Sequence, residues 1–155
     1  MDESKEIAPG IVARDGKPFV AGSDVEVEAI LRELAAGASC EKIRKHFGIE
    51  EAGQLAALSY ALGIMEDEIE LVRGRVLAGG QSVEPAPGII AQANIRLGKP
   101  VVAGTRVDVR LILQHLAAGD GATELAELYG LKEQDVLATI GYAAKVVSIE
   151  TVTVH

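Results

Sequence analysis

Aromatic residues are scarce in this chain of 155 residues, which has no Trp, two Phe and three Tyr. Bases of single-stranded nucleic acid need rings on which to lie, so a stacking platform of that kind is excluded. The lone cysteine, Cys40, excludes an intramolecular disulfide and a cysteine-rich zinc site. Three histidines form no H-x-x-x-H pair, which leaves no ligand set for a metal within one chain. No apolar run reaches the roughly 18 residues that cross a bilayer. The N-terminus, MDESKEIAPG, is short and acidic rather than signal-like. Basic side chains number 15 against 23 acidic ones, and the net charge of −8 sets a field that repels phosphate. What remains is 48% hydrophobic, enough for packed cores. The expectation is a cytoplasmic protein without a membrane segment or a cofactor.

What is present is a repeat. GKPFVAGSDVEVEAILRELAAG, opening at Gly16, returns as GKPVVAGTRVDVRLILQHLAAG, opening at Gly98, and the match continues without a gap to Ala61 and Ala143. Upstream, PGIVARDGKP from Pro9 corresponds to PGIIAQANIRLGKP from Pro87, with four extra residues in the second copy. The stretch between the copies is rich in Gly and Pro and reads as a connection. The boundaries follow: a first module over 1–72, a linker over 73–86 and a second module over 87–155.

Within each copy, Pro-Gly opens a short apolar run, a Gly-Lys-Pro turn follows, and a second run rich in β-branched residues completes a hairpin. Gly16, Lys17, Pro18 and Gly22 in the first copy, and Gly98, Pro100, Gly104 and Thr105 in the second, are the structural markers of this hairpin. Three helices come next. Val27, Ile30, Leu31 and Leu34 form an apolar stripe that Val109, Ile112, Leu113 and Leu116 repeat. Gly37 and Gly119 stop these helices at a left-handed residue. Ser39 and Asp120 are the N-cap candidates for the next helix. The third helix begins at Ile49 or Leu131. Each copy reads ββααα, and the two small modules are related by a pseudo-twofold axis or a translation. Local contacts favour independent cores, but modules of this size are marginally stable alone and should lean on each other. Val146 to His155 alternates like a terminal β-strand in want of a partner edge, in cis or across a homodimer.

The assembled signature is G-K-P-x-V-A-G-x-x-V-x-V, a helix ending in Ala-Ala-Gly, a short helix and a third helix ending in Tyr-Ala. It resembles the family catalogued as domain of unknown function 433, whose members look like antitoxin components. The resemblance implies an α+β, mainly α fold: in each copy, a short β-hairpin followed by a three-helix, helix-turn-helix-like bundle. It also suggests a protein partner resembling a PIN-type ribonuclease. The second copy matches the pattern better, because Ser23-Asp24 stands in the first copy where Thr105-Arg106 stands in the second.

The remaining motifs offer little catalysis. G-K-P-x-V-A-G lacks the spacing of a phosphate loop, and its Pro removes a backbone donor. His46 sits at a helix end, where it complements the dipole. His115 reads as a lone surface histidine, and Cys40 as a small residue packed at a helix start. No base stands near that thiol, so the reading is a non-enzyme.

Charge divides unevenly between the halves. Residues 1–80 hold nine basic and fifteen acidic side chains, while residues 81–155 hold six and eight. Arg96, Lys99, Arg106 and Arg110 cluster in the second hairpin and the helix start that follows it. They are the candidate contact face, for an acidic protein surface or a nucleic-acid backbone. Two function classes follow: an antitoxin-like module that masks a PIN-type nuclease, and a helix-turn-helix regulator that binds DNA. The acidic total favours the first, since the would-be recognition helices carry Glu50 and Glu51, or Glu133 and Asp135, where a DNA reader needs donors.

Overall fold

Asp15 and Gly16 both take positive φ, 50° and 77°, the backbone of a two-residue hairpin turn whose twist matches its strands. This turn joins β2 (Ile11–Arg14) to β3 (Lys17–Val20) in a computed structural model that describes residues 5–150. Lys17 and Pro18 therefore belong to the strand and not to the turn. A further strand, β1 (Lys5–Ala8), precedes them, so the expected hairpin is a three-stranded antiparallel sheet in the order β1-β2-β3. Helices α1 (Val27–Ala35), α2 (Cys40–Phe47) and α3 (Glu51–Gly79) follow. The second copy repeats the order as β4 (Val83–Ala86), β5 (Ile89–Ala91), β6 (Val101–Val102), α4 (Val109–Ala117), α5 (Ala122–Tyr129) and α6 (Glu133–Ile149).

The repetition extends to the register. Ile11 pairs with Val20 as Ile89 pairs with Val102. The Pro-Gly turns are held alike, with Ala21 N–H donating to Gly10 O and Ala103 N–H to Gly88 O, both at 2.9 Å. Gly10 and Gly88 have φ of +77° and +83°, and a Cβ there would lie 3.0 Å from Ala56 Cβ or 3.3 Å from Ala138 Cβ. Each Pro-Gly turn thus rests on the third helix of its own copy. The first and third helices are joined quite differently.

Helix α1 packs more extensively on α6 than on any other element, and α4 packs in the same way on α3. Both pairings cross from one copy to the other. A translation would satisfy only one of them, so the copies are related by a pseudo-twofold exchange. The stripe Val27, Ile30, Leu31 and Leu34 and its counterpart Val109, Ile112, Leu113 and Leu116 are all buried in a single cluster shared by both copies. The expected self-contained three-helix bundles with independent cores are not what forms. The reason lies in area: a module of this size exposes too much apolar surface to close alone.

Two further expectations are corrected. Arg73–Gly79, assigned above to a linker, extends α3, and Val83–Ala86 is β4, which leaves residues 80–82 as the connection. Met65, Ile69, Val72 and Val76 recur at spacings of four, three and four on the buried side of α3, a helical period. Val72 and Val76 bury against Ala91, with Val83 beside them. At the other end, Val146 and Val147 lie in the last turns of α6, buried in the core, and not in a strand. Val136, Ile140, Ala143 and Val147 keep the helical period, and burial against the first copy overrides the β preference of valine. The rest of that expected strand, residues 151–155, lies outside the described residues.

Tyr142 marks the exchange at atomic scale. It is 1% exposed, and its hydroxyl donates to Glu68 Oε2 of the first copy at 2.7 Å. Burial, and then Glu68, push its ionisation well above the ordinary tyrosine value of 10.0. Tyr60, at the matching position, is raised as well, by burial and by the charge of Glu150.

Two outcomes follow. A protease site placed in residues 80–82 and cleaved should leave the two halves eluting together at micromolar concentration; separation into half-size species would contradict the exchange. Raising the pH tests Tyr142. Its proton is held more tightly in the folded state, so stability should fall as pH rises above 10, where the unfolded tyrosine ionises first. At pH 11 the native protein and Tyr142→Phe should absorb equally at 295 nm, and differ by one tyrosinate once unfolded in urea.

Candidate functional site

The segment after β3 and β6 is built around one hydroxyl. Ser23 Oγ donates to Val20 O at 2.8 Å and accepts from Val25 N–H at 3.1 Å. Thr105 Oγ1 does the same with Val102 O and Val107 N–H, at the same distances. This explains the A-G-S and A-G-T triplets: the side chain folds back to reinforce a turn that the backbone also closes, with Ser23 N–H donating to Val20 O at 3.1 Å and Thr105 N–H to Val102 O at 3.0 Å. The residues that follow differ because their neighbours differ. Asp24 accepts from Arg14 at 2.9 Å, and the Arg14 guanidinium stacks over Phe19, 4.5 Å from the ring centre. The strand position matching Arg14 is Gln92, and Arg106, which matches Asp24, is exposed without an ion pair among the described residues.

Each copy also frames a cleft beside the residues that open its last strand and its first helix, and each cleft is walled by both copies. The first copy's cleft, about 170 Å³, lies among Lys17, Pro18, Glu26 and Glu28 on one side and Ser148 of α6 with Glu150 just beyond it on the other. The second copy's cleft, about 280 Å³, lies among Lys99, Pro100, Asp108 and Arg110 on one side and Glu66, Ile69 and Glu70 of α3 on the other. The acid before the helix is fixed by a bridge back to the strand, Phe19 with Glu26 and Val101 with Asp108.

Their charges are wired differently. In the first cleft Lys17 Nζ lies 3.8 Å from Glu26, and Glu28 pairs with Arg32 one turn on. In the second, Asp108 is taken by Arg96, which donates through Nε and Nη2 at 3.1 and 2.9 Å. That hydrogen bond, then the charge of Asp108, holds the Arg96 guanidinium above its ordinary value. Arg96 reaches Asp108 because the inserted stretch runs into a tight turn over Arg96–Gly98, with positive φ at Arg96 (50°) and Leu97 (56°). Such angles are uncommon outside glycine. The turn is anchored on α3, where Arg73 Nε donates to Leu97 O at 2.9 Å.

The four basic residues expected to form one face are thereby sorted. Lys99 and Arg110 line the same cleft, Arg96 adjoins it through Asp108, and Arg106 stands apart from it. Arg110 is paired with Glu66 across the copies, both its donors on one oxygen at 3.1 and 3.3 Å. Lys99 and Arg106 have no carboxylate partner among the described residues. Glu66, Ile69 and Glu70 escape a reading of local sequence because they sit in the half of α3 that packs on the other copy. Their i, i+3, i+4 spacing was the available signal.

Elsewhere two expectations change. His115 is not a lone surface residue: its Nδ1 lies 2.8 Å from Asp120 Oδ2 and its Nε2 2.7 Å from Tyr129 OH, which ties α4 to α5. Asp120 is spent on that contact, so Gly121 occupies the N-cap position of α5. Ser39 does cap α2, accepting from Lys42 N–H. His46, in the last turn of α2, pairs with Glu33 at 2.8 Å and stacks on Phe47. Cys40 begins α2, partly buried at the margin of the core. Among the described residues, no helix is long and apolar enough to cross a membrane.

The fold is that of a mixed α+β protein built from two exchanged copies of one unit. Residues 6–61 and 89–143 each match the family described as Protein of unknown function (DUF433), and the chain belongs to that family, twice over. No curated protein and no solved structure matches it.

The hydroxyl turns yield a direct test. Thr105→Val keeps the shape and the backbone bond to Val102 O but leaves Val107 N–H without its acceptor, and should cost about 1 kcal/mol in urea unfolding. Ser23→Ala should cost a similar amount if the two turns are equivalent.

Proposed function

We propose that the chain is a non-catalytic binding protein that masks a protein partner in the manner of an antitoxin. A PIN-type ribonuclease is the partner class that the family resemblance suggests. The observation that carries this reading is where the charge lies. The total is −8, and the first turns of α3 and α6 present Glu51, Glu133 and Asp135. Those positions would face a duplex backbone if the helices read DNA, and like charge opposes such binding. An acidic surface instead suits a basic nuclease, whose encounter it would accelerate. At the second copy's turn the sign reverses locally, with Arg96 and Arg110 spoken for and Lys99 and Arg106 left to meet an acidic strip of the partner.

One feature favours the helix-turn-helix alternative: two copies related by a pseudo-twofold resemble the arrangement with which dimeric regulators meet paired half-sites. The two readings separate in one set of measurements. A PIN-type ribonuclease encoded in the adjacent reading frame should co-elute with the chain and lose its RNA-cleaving activity. Reversing both unpaired bases, Lys99→Glu with Arg106→Glu, should slow association several-fold and change dissociation little. Arg110 is left untouched because a glutamate there would repel Glu66. Tight binding of duplex DNA that weakens steeply with salt, without a nuclease complex, would overturn the partner reading in favour of the regulator.

A further inference from the structure

The two clefts are an internal comparison, with one architecture and two charge patterns. In the second cleft every lining carboxylate already has an arginine: Glu66 has Arg110, Glu70 has Arg73, and Asp108 has Arg96. Lys99 is the cation left over. In the first cleft the equivalent lysine is neutralised by Glu26, and the position of Arg110 is occupied by Glu28. The difference arises because the inserted turn supplies Arg96, which takes the acid that would otherwise hold Lys99.

We infer that the cleft between α3 and the start of α4 is a binding site for a single aliphatic carboxylate, held by Lys99 and Arg110. Three observations converge on that ligand class. One uncompensated positive charge calls for one negative charge. Arg110 now places two donors on a single oxygen of Glu66 in a pair about half exposed on each side. The Nη1 donors of Arg110 remain for an incoming carboxylate oxygen while Glu66 keeps its partner, so the single excess positive charge is preserved. Ile69 and Pro100, both otherwise buried, give the wall an apolar stretch against which a short hydrocarbon body can lie. The volume, about 280 Å³, is small for a ligand pocket and fits a compact acid or one acidic side chain. The carboxylate can belong to a free small acid or to a glutamate of a peptide. This inference does not rest on the nuclease reading, because it concerns the chain alone.

The test is a nuclear magnetic resonance titration of the intact chain with pentanoate, with neutral pentanamide, with inorganic phosphate and with a terminally blocked Ala-Glu-Ala peptide. Pentanoate or the peptide should produce saturable shifts at the Lys99 amide and the Arg110 Nε–H, with none at Lys17; whichever of the two saturates identifies the source. Lys99→Ala and Arg110→Gln should each weaken that binding about tenfold, and pentanamide should bind at least tenfold more weakly than pentanoate. Lys17→Ala should bind as the native protein does. Because Lys99 and Arg110 are surface side chains, an unchanged melting temperature verifies that their variants fold. The assignment is overturned if neither carboxylate saturates, if phosphate alone does, if Lys99→Ala binds like the native protein, or if both clefts shift equally.

Discussion

The packing of α1 on α6, mirrored by α4 on α3, is the contact on which the rest of this structure depends. Neither copy closes a core around its own first helix. Burial of the two four-residue stripes is reciprocal, so the free energy that folds one copy is available only when the other is folded too. The long third helix of the first copy follows from the same arrangement: its extension covers β5 and the inserted turn of the second copy. The clefts follow as well. Each is roofed by a helix from one copy and floored by a turn from the other, and neither exists in an isolated copy.

The sequence made the elements legible and left their partners hidden. Apolar spacing located all of α1, α2, α4 and α5, and the glycines after them stop the helices where expected, with Gly37 and Gly119 at φ of +98° and +104°. These are local facts, and local sequence records them. The exchange is not local. A stripe such as Val27, Ile30, Leu31 and Leu34 states that it must be covered but not by which helix, since α3 and α6 carry nearly the same apolar face. Two of the misassigned stretches, Arg73–Gly79 and Val146–Ile149, are the ends of the third helices, whose packing on the other copy no local reading reveals.

The candidate site was half legible for a similar reason. Composition pointed to Arg96, Lys99, Arg106 and Arg110 as a basic cluster, but charge counted along the chain cannot show pairing across space. Asp108 and Glu66 remove two of the four from the free set. The contrast of Ser23-Asp24 with Thr105-Arg106 likewise changes meaning. The hydroxyl is shared and structural, while Asp24 pairs with Arg14 and Arg106 has no such partner, since Gln92 stands at the position matching Arg14. Covalent fusion makes such divergence possible. In a symmetric dimer of identical chains any change in one cleft is imposed on both, whereas here the two clefts are free to differ.

The exchange also sets the order in which the chain can mature during synthesis. Helix α1 leaves the ribosome well before the residues of α6 that cover it, from Val136 to Val147, which are made roughly a hundred residues later. Until then the apolar stripe of α1 lacks its most extensive native contact, and α3 carries an unfilled place for α4. Contacts between residues so far apart are slow to form and leave apolar surface open meanwhile. The first copy therefore completes its core only when the second copy emerges.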